Sequence, residues 1–254
     1  MTASELSASG RTPEICVLPL GATEQHGPHL PPETDTIIAA GMASRLAGRL
    51  EGEIALDILP VEPVGYSPEH LAWPQTRSLA WDEAVERWIA LGEAANERGI
   101  RRFVMLNAHG GNSALMTIVA TELRVRHRML AVATSWTRFA APADLLPPRE
   151  KALGIHGGLA ETSVMLALAP DRVDMDKARD FASRQMAFER DFRHLRAYGP
   201  HAFGWTMGDL SPDGVTGNAA AASAATGEAL IANAVAGLAD LMRDVARFDL
   251  ALFD

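Results

Sequence analysis

Cys16 is the only cysteine in the chain, so an internal disulfide is impossible, and its place inside the apolar run EICVLPLG marks it as a small core residue. A reducing compartment is the expectation. An excess of positive charge is missing too: 23 Lys and Arg stand against 32 Asp and Glu, a formal charge of -9. With no basic stripe to track phosphates, nucleic acid is excluded as a partner. The Ala-rich C-terminal segment is interrupted by Glu228 and Asp240, so it does not meet the pattern of a membrane span. Residues 1–13, MTASELSASGRTP, lack the apolar centre of a signal peptide and read as a polar tail. No Pro- or Ser-rich linker, internal repeat or low-complexity tract divides the rest, apart from the alanines of 218–225. One cytoplasmic domain over 14–254, with no membrane partner, is expected. The turn after the first strand also lacks G-x-G-x-x-G, which argues against a dinucleotide.

What is present is concentrated chemistry. Directly after the first apolar run, TEQHGPHLPPETDT places Glu24, His26, His29, Glu33 and Asp35 within residues 23–36. Glu24 and His26 are two apart and share a direction in extended backbone, while Asp35 opens the next helical pattern and can swing back over them. Mixed imidazole and carboxylate suit zinc, manganese or iron better than magnesium or calcium.

Apolar runs and helical periodicities alternate. Strands are expected at 15–21, 54–64, 103–106 and in MLAVATSW up to Trp136. Helices follow the first three, one opening at Thr34 or Asp35 as N-cap, one over 80–99 closed by Gly99, and one starting near Asn112 or Ser113. Residues 142–150 read as irregular, 171–198 as a charged surface helix, 204–218 as a loop long enough to move, and 219–248 as an amphipathic helix whose small residues permit close packing. Alternating βα units imply a mostly parallel sheet flanked by helices, with ligands bound at the carboxyl ends of its strands. That edge receives Glu24, His26 and Asp35 from the first loop, His70 from the second, His109 from the third and Trp136 from the fourth. Later, GIHGGLAETS presents His156 in a Gly-rich turn and Glu161 at a helix start.

TEQHGPHLPPETD, NAHGGN, HGGLAETS and DGVTGN, in that order over about residues 14–240, resemble the signature segments of the creatininase family of metal-dependent amide hydrolases. The resemblance implies a three-layer α/β/α sandwich, two divalent ions per chain (Zn or Mn, with Fe a third option), and a homo-oligomer, often a hexamer. By matched positions it implies that Glu24, Asp35 and His109 hold one metal and His26 the second, with Asp35 bridging. Creatininase carries a further metal-binding Glu two residues after the histidine of NAHGGN; Gly111 stands there in this chain, and Glu161 is nominated instead. Creatininase also has Glu where this chain has Ile155, which makes creatinine a poor substrate. The implied activity is hydrolysis of a non-peptide or cyclic amide C–N bond in a small molecule by hydroxide activated at a dinuclear centre, with His156 moving the proton. His29 and His70 are read as orienting groups, and His70, Trp136 and Trp205 as candidate substrate contacts. Two other readings stand beside it: a creatininase-like peptidase or formamide deformylase, and a non-catalytic binding or scaffold protein stapled by its metal.

Overall fold

Alternate residues of the first strand are buried against two different helical layers, and that period sets the architecture. In β1 (Ile15–Leu20), Ile15 and Val17 join one core while Cys16, Leu18 and Leu20 join the other, and every residue is buried. Such a run belongs in a sheet covered on both faces. The computed structural model describes residues 13–253, so that only Pro13 of the polar segment 1–13 lies within it. With β2 (Leu56–Ile58), β3 (Arg102–Asn107) and β4 (Leu130–Ser135), β1 forms a parallel sheet in the order β2-β1-β3-β4. One face carries α1 (Thr34–Leu50), α5 (Leu159–Leu168) and α8 (Ala224–Arg247); the other carries α2 (Trp81–Glu97) and α3 (Ser113–His127). The result is an α/β/α sandwich. Between β4 and α5 lies α4 (Pro148–Leu153), and between α5 and α8 run β5 (Asp180–Phe181), α6 (Gln185–Asp191), α7 (Met207–Leu210) and β6 (Gly217–Asn218), with β5 and β6 paired antiparallel.

Several expectations need correction. The second strand shrinks to three residues, because Pro60 and Pro63 remove donors from its distal half, and only an isolated bridge between Leu20 and Glu62 continues it. The first helix starts at Thr34 without a side-chain cap; Thr34 donates to Pro31 O instead, which leaves Asp35 free to face the sheet edge. Residues 148–153 are helical rather than irregular, since Pro148 sits in the first turn, where its missing N–H costs nothing. The charged stretch 171–198 yields only 3-10 turns, β5 and α6, having no apolar stripe to dock a long helix. Within the expected loop 204–218, Val215, Thr216 and Gly217 are buried.

Candidate metal centre

The strand ends bring the first and third motifs together. Leu20 of β1 is level with Asn107 of β3, and Ala108 N donates to Leu20 O at 2.9 Å. Asn107 brackets the next turn, accepting from His109 N at 3.1 Å and donating back to His109 O. Asn112 ties that turn to its neighbours: its Nδ2 donates to Gly21 O at 3.1 Å, and its Oδ1 accepts from Tyr66 N at 3.0 Å. A Cβ on Gly21 would stand 2.7 Å from Thr36 Cα, so the glycine admits the start of α1 against the strand end and Asp35 over Glu24.

Five groups then converge. His109 Nδ1 lies 3.1 Å from Glu24 Oε1 and 3.5 Å from Asp35 Oδ2. His26 Nε2 lies 3.3 Å from Asp35 Oδ1 and 3.8 Å from Glu161 Oε2. The two oxygens of Asp35 therefore address different imidazoles. Each of these imidazoles is fixed from behind by a main-chain carbonyl: His26 Nδ1 donates to Glu24 O at 3.0 Å and His109 Nε2 to Tyr66 O at 2.9 Å. The rear proton leaves the inward nitrogen as the ligand atom in the neutral ring.

Glu24, His26, Asp35 and His109 are buried, and Glu161 is partly buried. Burial works against charge on Glu24, yet His109, His70 and His156 hold its carboxyl well below the usual range. Burial raises the Asp35 carboxyl, and Glu24 beside it adds to the rise against the pull of His26 and His109. Burial would lower the two imidazoles, but the carboxylates win, moving His26 up to about 9 through Asp35 and His109 up to about 10 through Glu24. Burial lifts Glu161 to about 7. Both Glu24 oxygens, Asp35 Oδ2 and His26 Nε2 are buried with no hydrogen-bond partner. Unpaired buried carboxylate oxygens are costly, and divalent cations satisfy such a set. Glu24, Asp35 and His109 form one group able to hold an ion, and His26, His156 and Glu161 another.

The second wall comes from 150–161. Gly157 N donates to Glu161 Oε2 at 2.7 Å, and His29 Nε2 reaches Gly157 O at 3.1 Å and Thr162 Oγ1 at 2.9 Å, tying the first motif to α5. His156 Nε2 donates to Gln25 O at 2.7 Å and turns Nδ1 toward Glu24 Oε1, 3.5 Å away. Burial, with His26 and His70 alongside, keeps the His156 pKa well below its ordinary value. His70 Nε2 also faces Glu24 Oε1, at 3.4 Å.

Two candidates, Glu33 and Trp136, sit elsewhere. Glu33 is exposed and pairs with Arg172 at 2.9 Å. Trp136 is packed into the core beside α8 and only 5% exposed, so it offers no open face for stacking: the strand ends at Ser135, and the 3-10 turn that Trp136 opens carries the ring inward. Trp205 packs with Trp73, Ile155 and Phe203 in a small apolar cluster that adjoins His70 and His156 along the chain. Cys16 is buried with its thiol pushed up to about 12, as suits a core residue. Sequence reasoning missed Gln25 and Glu150. Gln25 stood in plain view between Glu24 and His26, whereas nothing local marked Glu150, whose carboxylate accepts from Leu159 N at 2.7 Å and Asn218 N at 2.8 Å. Gly111 also acquires a reason: a Cβ there would meet Glu69 Oε1 at 2.7 Å and collide with Tyr66 O and His109 Nε2, so the position has no room for a glutamate while 66–70 holds this path.

A parallel α/β/α sandwich with a buried imidazole and carboxylate cluster at its carboxyl edge defines a metal-dependent hydrolase architecture. The family model for creatininase, described as creatinine amidohydrolase, matches residues 1–242, and the chain belongs to the creatininase family. It is 32% identical over 253 residues to a mycofactocin precursor peptide peptidase of Mycobacterium tuberculosis, covering 97% of this chain and 89% of that one. To the creatinine amidohydrolase of Pseudomonas putida it is 28% identical over 248 residues, covering 91% and 89%. A solved creatininase structure described as Mn aligns with TM-score 0.72 at 25% identity, covering 97% and 95%. Another, a variant described as the Zn-Zn type, aligns with TM-score 0.72 at 28% identity, covering 92% and 91%. The chain is accordingly a hydrolase of that family. Among the described residues no helix is long and apolar enough to cross a membrane.

Proposed function

We propose that the protein hydrolyses an amide C–N bond at a dinuclear centre in which Glu24, Asp35 and His109 hold one divalent ion and His26, Asp35 and Glu161 the other. The observation that carries this is Asp35, whose Oδ1 and Oδ2 lie 3.3 and 3.5 Å from two imidazole nitrogens already fixed from behind. Zinc or manganese there would polarise the scissile carbonyl and lower the pKa of a water toward neutrality. The chain itself supplies the rest. His156 is the proton carrier: with Nε2–H held on Gln25 O, its neutral ring offers Nδ1 as the acceptor, and burial, with His26 nearby, makes it release the proton readily to a leaving nitrogen. Trp73 and Trp205 form an apolar wall that limits water around the substrate.

A peptide amide is favoured over a cyclic one. The mycofactocin precursor peptide peptidases are 30 to 32% identical to this chain, above the 28% of the creatinine amidohydrolase. Self-association belongs to the same proposal, supported by exposed Trp81 and Ile118 along a groove of about 400 Å³ between α2 and α3. The test is metal analysis together with a panel of short peptides, cyclic ureides, lactams and formamides. Metal at one to two equivalents per chain and turnover of the peptides are expected. Full metal and full turnover in Asp35→Ala would overturn the bridging assignment.

A further inference from the structure

Four imidazoles meet around Glu24, and three are anchored alike. His26 Nδ1, His109 Nε2 and His156 Nε2 each face a main-chain carbonyl, at 3.0, 2.9 and 2.7 Å. A carbonyl only accepts, so each ring keeps a proton at the rear and, when neutral, turns a bare nitrogen inward. His70 is anchored the opposite way. Its Nδ1 lies 2.8 Å from Gln25 Nε2, and the orientation of that amide is set by two main-chain groups of opposite polarity. Gly27 N donates to Gln25 Oε1 at 3.0 Å, while Gln25 Nε2 donates to Gly214 O at 2.5 Å. The second amide hydrogen is left for His70 Nδ1. The 3.3 Å approach of Gln25 Nε2 to His156 Nε2 goes unused, because that ring nitrogen already donates to Gln25 O.

Gly214 closes the arrangement from outside. Its φ is +78°, and a Cβ there would collide with the Gln25 amide, so the 211–218 segment seats on Gln25 only with glycine at that point. With Nδ1 accepting, the ring proton of His70 must sit on Nε2, which faces Glu24 Oε1 at 3.4 Å. An imidazolium would aim its second N–H at an amide N–H.

We infer that Gln25 is a positioning residue that holds His70 as an Nε2–H donor facing the Glu24 carboxylate, so that His70 orients a metal-holding side chain. His70 is thereby withheld from metal ligation, although Glu24, His70 and His156 lie close enough together to hold an ion. A bare ring nitrogen binds a cation; a protonated one donates to the carboxylate before it. The orienting role rests on the proposed metal centre; the tautomer does not.

The test is nitrogen NMR on zinc-loaded protein carrying 15N-labelled histidine, with His70 assigned by comparison with His70→Gln. Protonation of His70 at Nε2, its inward nitrogen, without a zinc bond is expected, whereas His26 keeps its proton on Nδ1 and His109 and His156 on Nε2, in each case the rear nitrogen. Protonation at Nδ1, or zinc on Nε2, overturns the inference. His70→Phe should weaken zinc binding about 10- to 100-fold, the loss typical of a group that orients a metal ligand. His70→Gln, which restores an N–H at that end, should recover most of it. Unchanged zinc affinity in His70→Phe, or no recovery in His70→Gln, counts against the orienting role. Should no amide be turned over by the wild type, the hydrolase reading fails while the NMR result still decides the tautomer.

Discussion

The two walls of the site are built on different principles. The wall from 23–35 and 107–112 grows out of the central strands and is fixed by main-chain bonds to Gly21, Leu20 and Tyr66. Among the described residues, the wall from 150–161 and 211–218 has no hydrogen bond of that kind to the four-stranded sheet and hangs on the Glu150 carboxylate, which holds Leu159 at the start of α5 and Asn218 in β6. The first wall should therefore break on removal of a ligand charge, and the second also on removal of an anchor set apart from the candidate ligand atoms.

The sharpest break in this comparison is expected at the residue common to both imidazoles. Asp35→Ala should abolish bound metal at both positions and bring hydrolysis to background, read by elemental analysis and turnover on the panel. Glu161→Ala, in the second wall, should lose one metal equivalent and keep the ion held by Glu24, Asp35 and His109; loss of both would show that the walls are not separable. Glu150→Ala leaves two buried N–H groups without a carboxylate, each such bond being worth about 1.5–3 kcal/mol, so a loss of about 3 kcal/mol in urea denaturation is expected. The metal lost there should be the one that needs Glu161. Glu33→Ala, which removes an exposed pair with Arg172, should change stability by less than about 0.5 kcal/mol.

Acidity divides the histidines in the metal-stripped protein. His29 and His70, lowered by burial from 6.5 to about 4, contribute stability that is present above pH 6.5 and lost as pH falls toward 4. His26 and His109, raised to about 9 and about 10, contribute stability that is present below 6.5 and lost as pH rises through those values. The imidazole contribution thus peaks near pH 6.5, and thermal melts of chelator-treated protein across pH 4 to 10 should show both flanks. Bound metal replaces the inward protons of His26 and His109, so zinc affinity should rise with pH over the same upper range. A melt that keeps gaining stability up to pH 10 without metal would contradict the pairing of His26 with Asp35.

The first wall was largely legible in the sequence because its candidate ligands follow strand ends directly: Glu24 and Asp35 flank one loop, and His109 sits two residues past β3. Glu161 stood out as a carboxylate at a helix start but was nominated as a ligand only through family resemblance, and Glu150 did not stand out at all, since its partners lie 9 and 68 residues away. Trp136 and Trp205 show the same limit, an aromatic side chain at a strand end or in a loop having no signature that tells core from crevice.

By itself the sequence determined the alternation of strands and helices, the parallel sheet and the identity of the groups collected at its edge, because hydrophobic period and strand-end chemistry are local. Tertiary structure alone decided which nitrogen each histidine turns inward, why position 111 has no room for a glutamate and that Trp136 belongs to the core. Those outcomes depend on carbonyls, amides and packing volumes contributed by residues far apart in the chain, which no local pattern records.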